Sequence, residues 1–329
     1  MRKLKILILV FILLPYAAQA VELVWPPPPE RTRLQFVRSV SKAADLGIKK
    51  SFFKKVWEFV AGEEPEGLVR PYGIAVMDNR VFITDMALST FHIFDLLKND
   101  YRIVTPKPTR LPSPVAIAFT RNGEALIVDS VLKKIFVYNA KGDYTGEFAA
   151  GFSFQRPTAI AVSPRDNAVW VTDTLAHQVL KFSPAGERLL TVGKRGAKKG
   201  EFNFPTGLAA GKDGKLYVCD TLNARIQIFS AEGKFLSTFG RHGDSTGDFS
   251  TPKSVALDSE GNIYVVDGLF DAVQIFNEKG RLLLVFGQRG NRKGEFYVPA
   301  AVVIDGRDRI LVTDSYNGRL QIFQYLRES

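Results

Sequence analysis

Six stretches of this chain repeat one plan, and that repeat limits the possible fold more than any other feature. Each runs from a proline through a small-apolar strand, a polar turn, a strand ending in aspartate and a strand ending in an aromatic. Their centres read RVFITD, EALIVD, AVWVTD, KLYVCD, NIYVVD and RILVTD. The aspartates are Asp85, Asp129, Asp173, Asp220, Asp267 and Asp314, spaced 44, 44, 47, 47 and 47 residues apart. Nine residues after each stands Phe94, Tyr138, Phe182, Phe229, Phe276 or Phe323. The prolines are Pro71, Pro114, Pro157, Pro205, Pro252 and Pro299. Three coincident periods mark a repeat architecture, in which a unit buries its apolar surface only against its neighbours.

The fourth unit shows what a unit contains. TGLAAG, KLYVCD, RIQIFS and KFLSTFG are four strand-like runs, split by turn formers such as Lys212-Asp213-Gly214 and Ala231-Glu232-Gly233. Four antiparallel strands in 44–47 residues predict a propeller blade, not a helical solenoid. The expected fold is therefore all-β, a six-bladed β-propeller with blades over 70–110, 111–155, 156–203, 204–250, 251–297 and 298–329.

The last unit is short of a strand. AAVVID, RILVTD and RLQIFQ supply three, and only YLRES follows. Near the N-terminus, Arg33 to Arg38 (RLQFVR) resembles the fourth strands RLLLVFG and KFLSTFG. Residues 31–41 are thus expected to complete the last blade, closing the ring and covering two sheet edges at once. Ahead of them lies Val24-Trp25-Pro26-Pro27-Pro28-Pro29-Glu30, which excludes helix and central strand. Over 21–30 it predicts a stiff polyproline lead-in that keeps the signal and its cleavage site away from the folding ring.

These segments resemble NHL repeats. That family's pattern has a Gly-rich lead with Gly-x-Phe and a proline, a strand of the form G-x-I/L-Y-V-x-D, and then N-x-R-I-Q-x-F. Residues 200–229 (GEFNFPTGLAAGKDGKLYVCDTLNARIQIF) and 298–323 (VPAAVVIDGRDRILVTDSYNGRLQIF) follow it closely. The likeness spans about residues 70–323, but FITDMALSTFHIF and LIVDSVLKKIFVY in the first two units lack the Asn and Arg. Some relatives of such propellers are enzymes, an amidating lyase and gluconolactonase-type hydrolases. The resemblance implies that those hold metal ions over the central channel with convergent His and carboxylates.

Residues 1–20 read as an export signal cleaved after Ala20: MRKLK is basic, ILILVFILL apolar, and Ala18-Gln19-Ala20 a small-residue cleavage site. The apolar run from Ile6 to Ala18 is 13 residues, short of the roughly 20 that cross a bilayer as a helix. The chain is expected to be exported and periplasmic. Without the signal, 41 Lys and Arg face 34 Asp and Glu, a net charge of +7. That excess permits acidic partners or an anionic membrane surface and demands neither, while export argues against nucleic acid. Cys219, the one cysteine, excludes an internal disulfide and reads as a small buried filler.

Between the closing strand and the first blade, residues 42–69 are read as a helix and linker. In SFFKKVWEFVAG, Ser51 is a candidate N-cap and Gly62 a stop. Phe52, Phe53, Val56, Trp57, Phe59 and Val60 fall on one side of an amphipathic helix over 51–61. It is expected to pack on the ring; Lys49, Lys50, Lys54 and Lys55 also suit contact with a membrane surface.

Candidate site residues fall into three groups. The six aspartates each end a second strand, where a carboxylate can accept backbone N–H bonds, so they are read as structural. Asn223 with Arg225, and Asn317 with Arg319, are also read as structural, the arginines pairing with a neighbouring aspartate to lock adjacent turns. The third group lies on the long connections, GKRGAKKGEFN (193–203), GRHGDSTGDFS (240–250) and GQRGNRKGEFY (287–297), whose Phe202, Phe249 and Phe296 are expected to anchor them. These loops share a face with the second-to-third-strand turns. Lys194, Arg195, Lys198, Lys199, Arg289, Arg292 and Lys293 would rim a centre studded with Leu175, Leu222, Leu269, Phe270 and Tyr316. Such a mixture suits protein binding.

Catalysis finds less support. His92, His177 and His242 occupy three non-equivalent repeat positions, and neither a nucleophile motif nor a phosphate loop is present. The sequence therefore predicts a monomeric, exported scaffold that binds another protein through the basic-loop face, with no cofactor and no bound metal. A metal-dependent hydrolase or lyase at the channel mouth is the alternative.

Overall fold

A computed structural model describes residues 23–48 and 66–326. They form six antiparallel sheets whose inner strands pack side by side, the sixth returning to the first. In blade 1 the strands, from the axis outward, are Pro71–Met77, Arg80–Asp85, Thr90–Asp95 and Asp100–Val104. Blades 2 to 5 repeat this order. Blade 6 contributes Pro299–Ile304, Arg309–Asp314 and Arg319–Tyr325, and its outer strand is Leu34–Val40 from the other end of the chain. Leu34 pairs with Tyr325, Phe36 with Phe323 and Val40 with Leu320. The predicted ring closure is present.

The proline run does something else. Val24–Trp25 is a short strand pairing with Gln35 and Leu34, so Pro26–Pro29 form part of the bend of a hairpin on the last blade. The cause is Trp25, whose ring lies 6.0 Å from Phe286 and 5.6 Å from Phe323. Burying that indole outweighs the extended preference of the prolines. The predicted helix over 51–61 and the export signal lie outside the described residues. Among the described residues no helix is long and apolar enough to cross a membrane.

Second and third strands are enclosed between neighbouring blades on both faces, which is why they read as unbroken apolar runs rather than alternating ones. Six hydrophobic clusters result, one in each junction between successive blades. The closing strand serves two of them. Leu34 enters the cluster between blades 5 and 6, and Val40 the one between blades 6 and 1.

Proline opens the inner strand of five blades, where the missing N–H leaves no ladder bond unmade. Each such proline faces its blade's aspartate, and the register then slips. These bulges turn the next residue out of the ladder, toward the axis. In blade 4 the inner strand is only Leu208–Ala210, beginning three residues after Pro205.

Candidate functional site

Antiparallel order sends the second-to-third-strand turn and the connection to the next blade out of the same end of every blade. This end is the loop face. Its rigidity begins with the aspartates, all buried. Asp85 accepts N–H bonds from Val69, Arg70, Ala87 and Leu88; Asp129 from Ser113, Val131 and Leu132; Asp173 from Gln155 and Arg156. Asp267 likewise binds the amides of Ser250, Thr251, Leu269 and Phe270. One carboxylate thus ties the turn after it to the segment that leads into its own blade.

Burial works to raise the pKa of Asp85, but His92, with Nε2 3.5 Å away, and the amides of Val69, Arg70 and Leu88 hold it below its ordinary 3.8. A depressed carboxylate gives stability that is fully present above the ordinary value and lost as pH falls through the folded one. The urea midpoint is therefore expected to drop from pH 5 toward pH 3. Asp85→Asn should lower the pH 5 midpoint and flatten that fall; an unchanged slope would remove Asp85 from the account.

Blades 4 and 6 add a clamp. Arg225 donates from Nε to Asp220 at 2.7 Å and from its terminal nitrogen to the carbonyls of Lys198 and Glu201. Asn223 reaches Asp220 and the carbonyl of Gly196. Gln227 receives the amide of Gly200 and donates to the Glu201 carbonyl. Arg319, Asn317 and Gln321 do the same around Asp314 for the loop 287–297. Each arginine thus pairs with the aspartate of its own blade, because the hairpin register sets Asp220 opposite Arg225 and Asp314 opposite Arg319. The loops it grips belong to the connection from the preceding blade. Blade 5 has Ala272 at the arginine's place and keeps only the glutamine, Gln274.

Phe202, Phe249 and Phe296 are fully buried under these connections. Phe202 lies against Gly193, whose φ of 89° and lack of a side chain let the ring approach; a Cβ there would stand 2.3 Å from it. So anchored, the loops hold Lys194, Arg195, Lys198, Lys199, Arg289, Arg292 and Lys293 exposed. Arg289 stacks over Tyr297, its guanidinium 5.2 Å from the ring centre.

Inside this rim the position two after each aspartate is apolar and exposed in every blade. It holds Ala87, Val131, Leu175, Leu222, Leu269 and Tyr316. Exposure reaches 62% at Val131, 61% at Leu222 and 68% at Leu269. Phe270, expected beside Leu269, is half-buried and contributes less. Val131 was missed because its unit departs from the repeat pattern, although its spacing from Asp129 would have located it.

The polar groups at the axis follow no repeat pattern that would single them out. A cavity of about 670 Å³ runs along the inner strands of all six blades. At the loop face it meets Tyr72, Arg156, Thr158, Thr206 and Lys253, residues that flank or closely follow each blade's proline. Arg70 lies nearby, its terminal nitrogen donating to the Tyr316 hydroxyl at 2.5 Å. Burial raises the pKa of Tyr72 while Arg156 and Arg70 pull it down; burial also lowers that of Lys253. No carboxylate, imidazole or thiol is among the residues lining the cavity. Hydroxyls knit the mouth together. Thr174 donates to the carbonyl of Pro205, Thr221 to that of Pro252, and Thr313 to that of Tyr72 across the ring closure.

The histidines are dispersed. His92 is fully buried with Nδ1 2.8 Å from the Tyr101 hydroxyl, His177 receives the amide of Phe204, and His242 lies on an inter-blade loop. Among the described residues no three His, Cys, Asp or Glu side chains gather as a metal site. Cys219 is buried, which pushes its thiol pKa far up and leaves it inert as a nucleophile.

The NHL repeat family matches residues 202–229 and 296–323, the two blades that carry the full clamp. No curated protein matches the sequence. Among solved structures, virginiamycin B lyase from Staphylococcus aureus is similar at 14% identity, over 78% of this chain and 96% of that one, with a TM-score of 0.58. A gluconolactonase from Xanthomonas campestris is 17% identical over 79% and 87%, with a TM-score of 0.61. An auxiliary nutrient binding protein from Bacteroides ovatus is 15% identical over 79% and 70%, also at 0.61. At such identities these likenesses establish the propeller fold and carry no activity with them.

Proposed function

Because the chain is a six-bladed propeller of the NHL-repeat family, we propose that it is an exported, periplasmic scaffold that binds another exported protein through its loop face. The observation that carries this reading is the circle of exposed apolar side chains, Val131, Leu175, Leu222, Leu269 and Tyr316, set inside a rim of exposed Lys and Arg. An apolar centre with a charged rim is the anatomy of a recognition surface. The arginines and lysines fit a partner whose own rim is acidic. Rigidity supports the same reading, since clamped loops lose little freedom on binding.

Metal-dependent hydrolysis or lyase chemistry, the alternative, would need convergent imidazoles or carboxylates. The cavity's described lining supplies neither. The basic reading at the start of the chain, MRKLK followed by ILILVFILL, supports export.

Crosslinking in the native envelope followed by mass spectrometry identifies the partner, and a double charge reversal then tests the face. Lys198 and Arg292 serve the clamps only through their backbones, so Lys198→Glu with Arg292→Glu should leave folding intact. The variant is expected to bind the partner about ten-fold more weakly, chiefly through slower association at low salt. Unchanged affinity for the confirmed partner would place the interface elsewhere.

A further inference from the structure

The axial cavity is not needed for docking on the loop face, and its chemistry is graded from end to end. At the loop-face mouth stand Tyr72, Arg156, Thr158 and Lys253. Halfway along, the wall is small and apolar: Ala116, Ala118, Ala161, Ala209 and Ala301. At the far end come Val76, Phe119, Val162, Leu257 and Ile304. We propose that this channel binds a single-chain amphiphile with an anionic head, a carboxylate or a phosphate monoester, the head at the loop face and the tail along the axis.

Three features of the mouth select the head. Two cations from different blades line it, Arg156 of blade 3 and Lys253 of blade 5, while Arg70 ahead of blade 1 is held over Tyr316 and acts on Tyr72 and Lys253 only through space. Lys253 follows Pro252 at the bulge and lines the mouth, its side chain lying across Gly268, where a Cβ would stand 2.8 Å from Nζ. Neither the Lys253 ammonium nor the Arg156 guanidinium has an ion pair or side-chain hydrogen bond among the described residues. The acids nearest Lys253 act on it only through space and spend their hydrogen bonds on backbone: Asp267 accepts the amides of Ser250 and Thr251, and Asp271 that of Val298. An anion would find paired donors in the guanidinium and ammonium, with the Tyr72 hydroxyl beside them.

The wall selects the tail. A volume of about 670 Å³ falls among ligand pockets, which span roughly 300–1,000 Å³. Alanines leave the channel wide at its middle, and Gly73 and Gly207 keep adjacent inner strands close, a Cβ at Gly207 standing 2.3 Å from the Lys253 carbonyl. A small polar anion leaves the alanine layer unused. An uncharged hydrocarbon leaves Arg156 and Lys253 without partners. A chain with both parts satisfies the whole cavity.

Titration calorimetry of the purified protein with decanoate and with decyl phosphate, each below its micellar concentration, tests this. One-to-one binding of either is expected, the tighter of the two identifying the head group. Acetate and decyltrimethylammonium should bind at least about ten-fold more weakly. Arg156→Gln with Lys253→Gln, at the solvent-facing mouth, should weaken decanoate or decyl phosphate by a similar factor. Ala161→Phe should block the tail, with circular dichroism confirming the fold. The proposal is overturned if neither anionic amphiphile binds, if the cationic one binds as tightly, or if the mouth variant keeps full affinity.

Discussion

Replacing Leu34 and Val40 together with aspartate is expected to unfold the protein at ambient temperature. Both side chains are fully buried, Leu34 between blades 5 and 6 and Val40 between blades 6 and 1. An unpaired carboxylate in such a place costs several kcal/mol, and two together approach the whole stability of an ordinary domain, about 5–15 kcal/mol. Val37 on the same strand is 48% exposed, so Val37→Asp should change stability by no more than about 0.5 kcal/mol. Thermal melts by circular dichroism separate the two outcomes. A double variant that melts like the parent would mean that the N-terminal strand does not hold the ring shut.

Arg319→Ala is expected to cost about 3–5 kcal/mol, the second largest effect. The guanidinium holds Asp314 at 2.6 Å and the carbonyls of Asn291, Arg292 and Glu295. Burial already pushes the Asp314 carboxyl above its ordinary value, against the pull of the Tyr297 amide, Asn317 and Arg319. Without the arginine a buried charge loses its counter-ion and three carbonyls lose their donor. The loop 287–297 should loosen as well, and trypsin should cut at Arg289, Arg292 and Lys293 faster than in the parent. Equal cleavage rates and an equal urea midpoint would show that Phe296 alone anchors the loop.

The clamp also explains what the repeat signature is for. Asn, Arg and Gln recur at fixed distances after the aspartate because all three converge on one carboxylate and on the backbone of one loop. Blade 5 spares the arginine, and there Arg241 bridges to Asp248 within the connection itself at 2.7 Å.

The ring and its closure were legible because both are written as periodicity. Four strands per unit, a missing fourth strand at one end and a matching segment at the other leave one way to satisfy the sheet edges. Trp25 was not legible. A hairpin around prolines is set by where the indole finds apolar neighbours, here Phe286 and Phe323, and no local pattern encodes that. That each arginine also grips the connection from the preceding blade was not legible, because spacing alone does not show which loop lies over the Asp314–Arg319 pair. Lys253 and Arg156 escaped notice for a different reason. Charge is densest on the long connections, whereas Lys253 reaches the axis through the bulge after Pro252 and Arg156 stands just ahead of Pro157, positions that no charge pattern marks.

The pairing of Leu34 with Tyr325 has a consequence for how the molecule comes into being. A chain that emerges into its compartment from its N-terminal side carries an unsatisfied strand until the final blade arrives to receive it. Early blades can form and stack, but closure waits for the last segment to appear, and loss of a few C-terminal residues would strand the first ones. Completion of the circle is in this sense a check that both of its closing strands have been made.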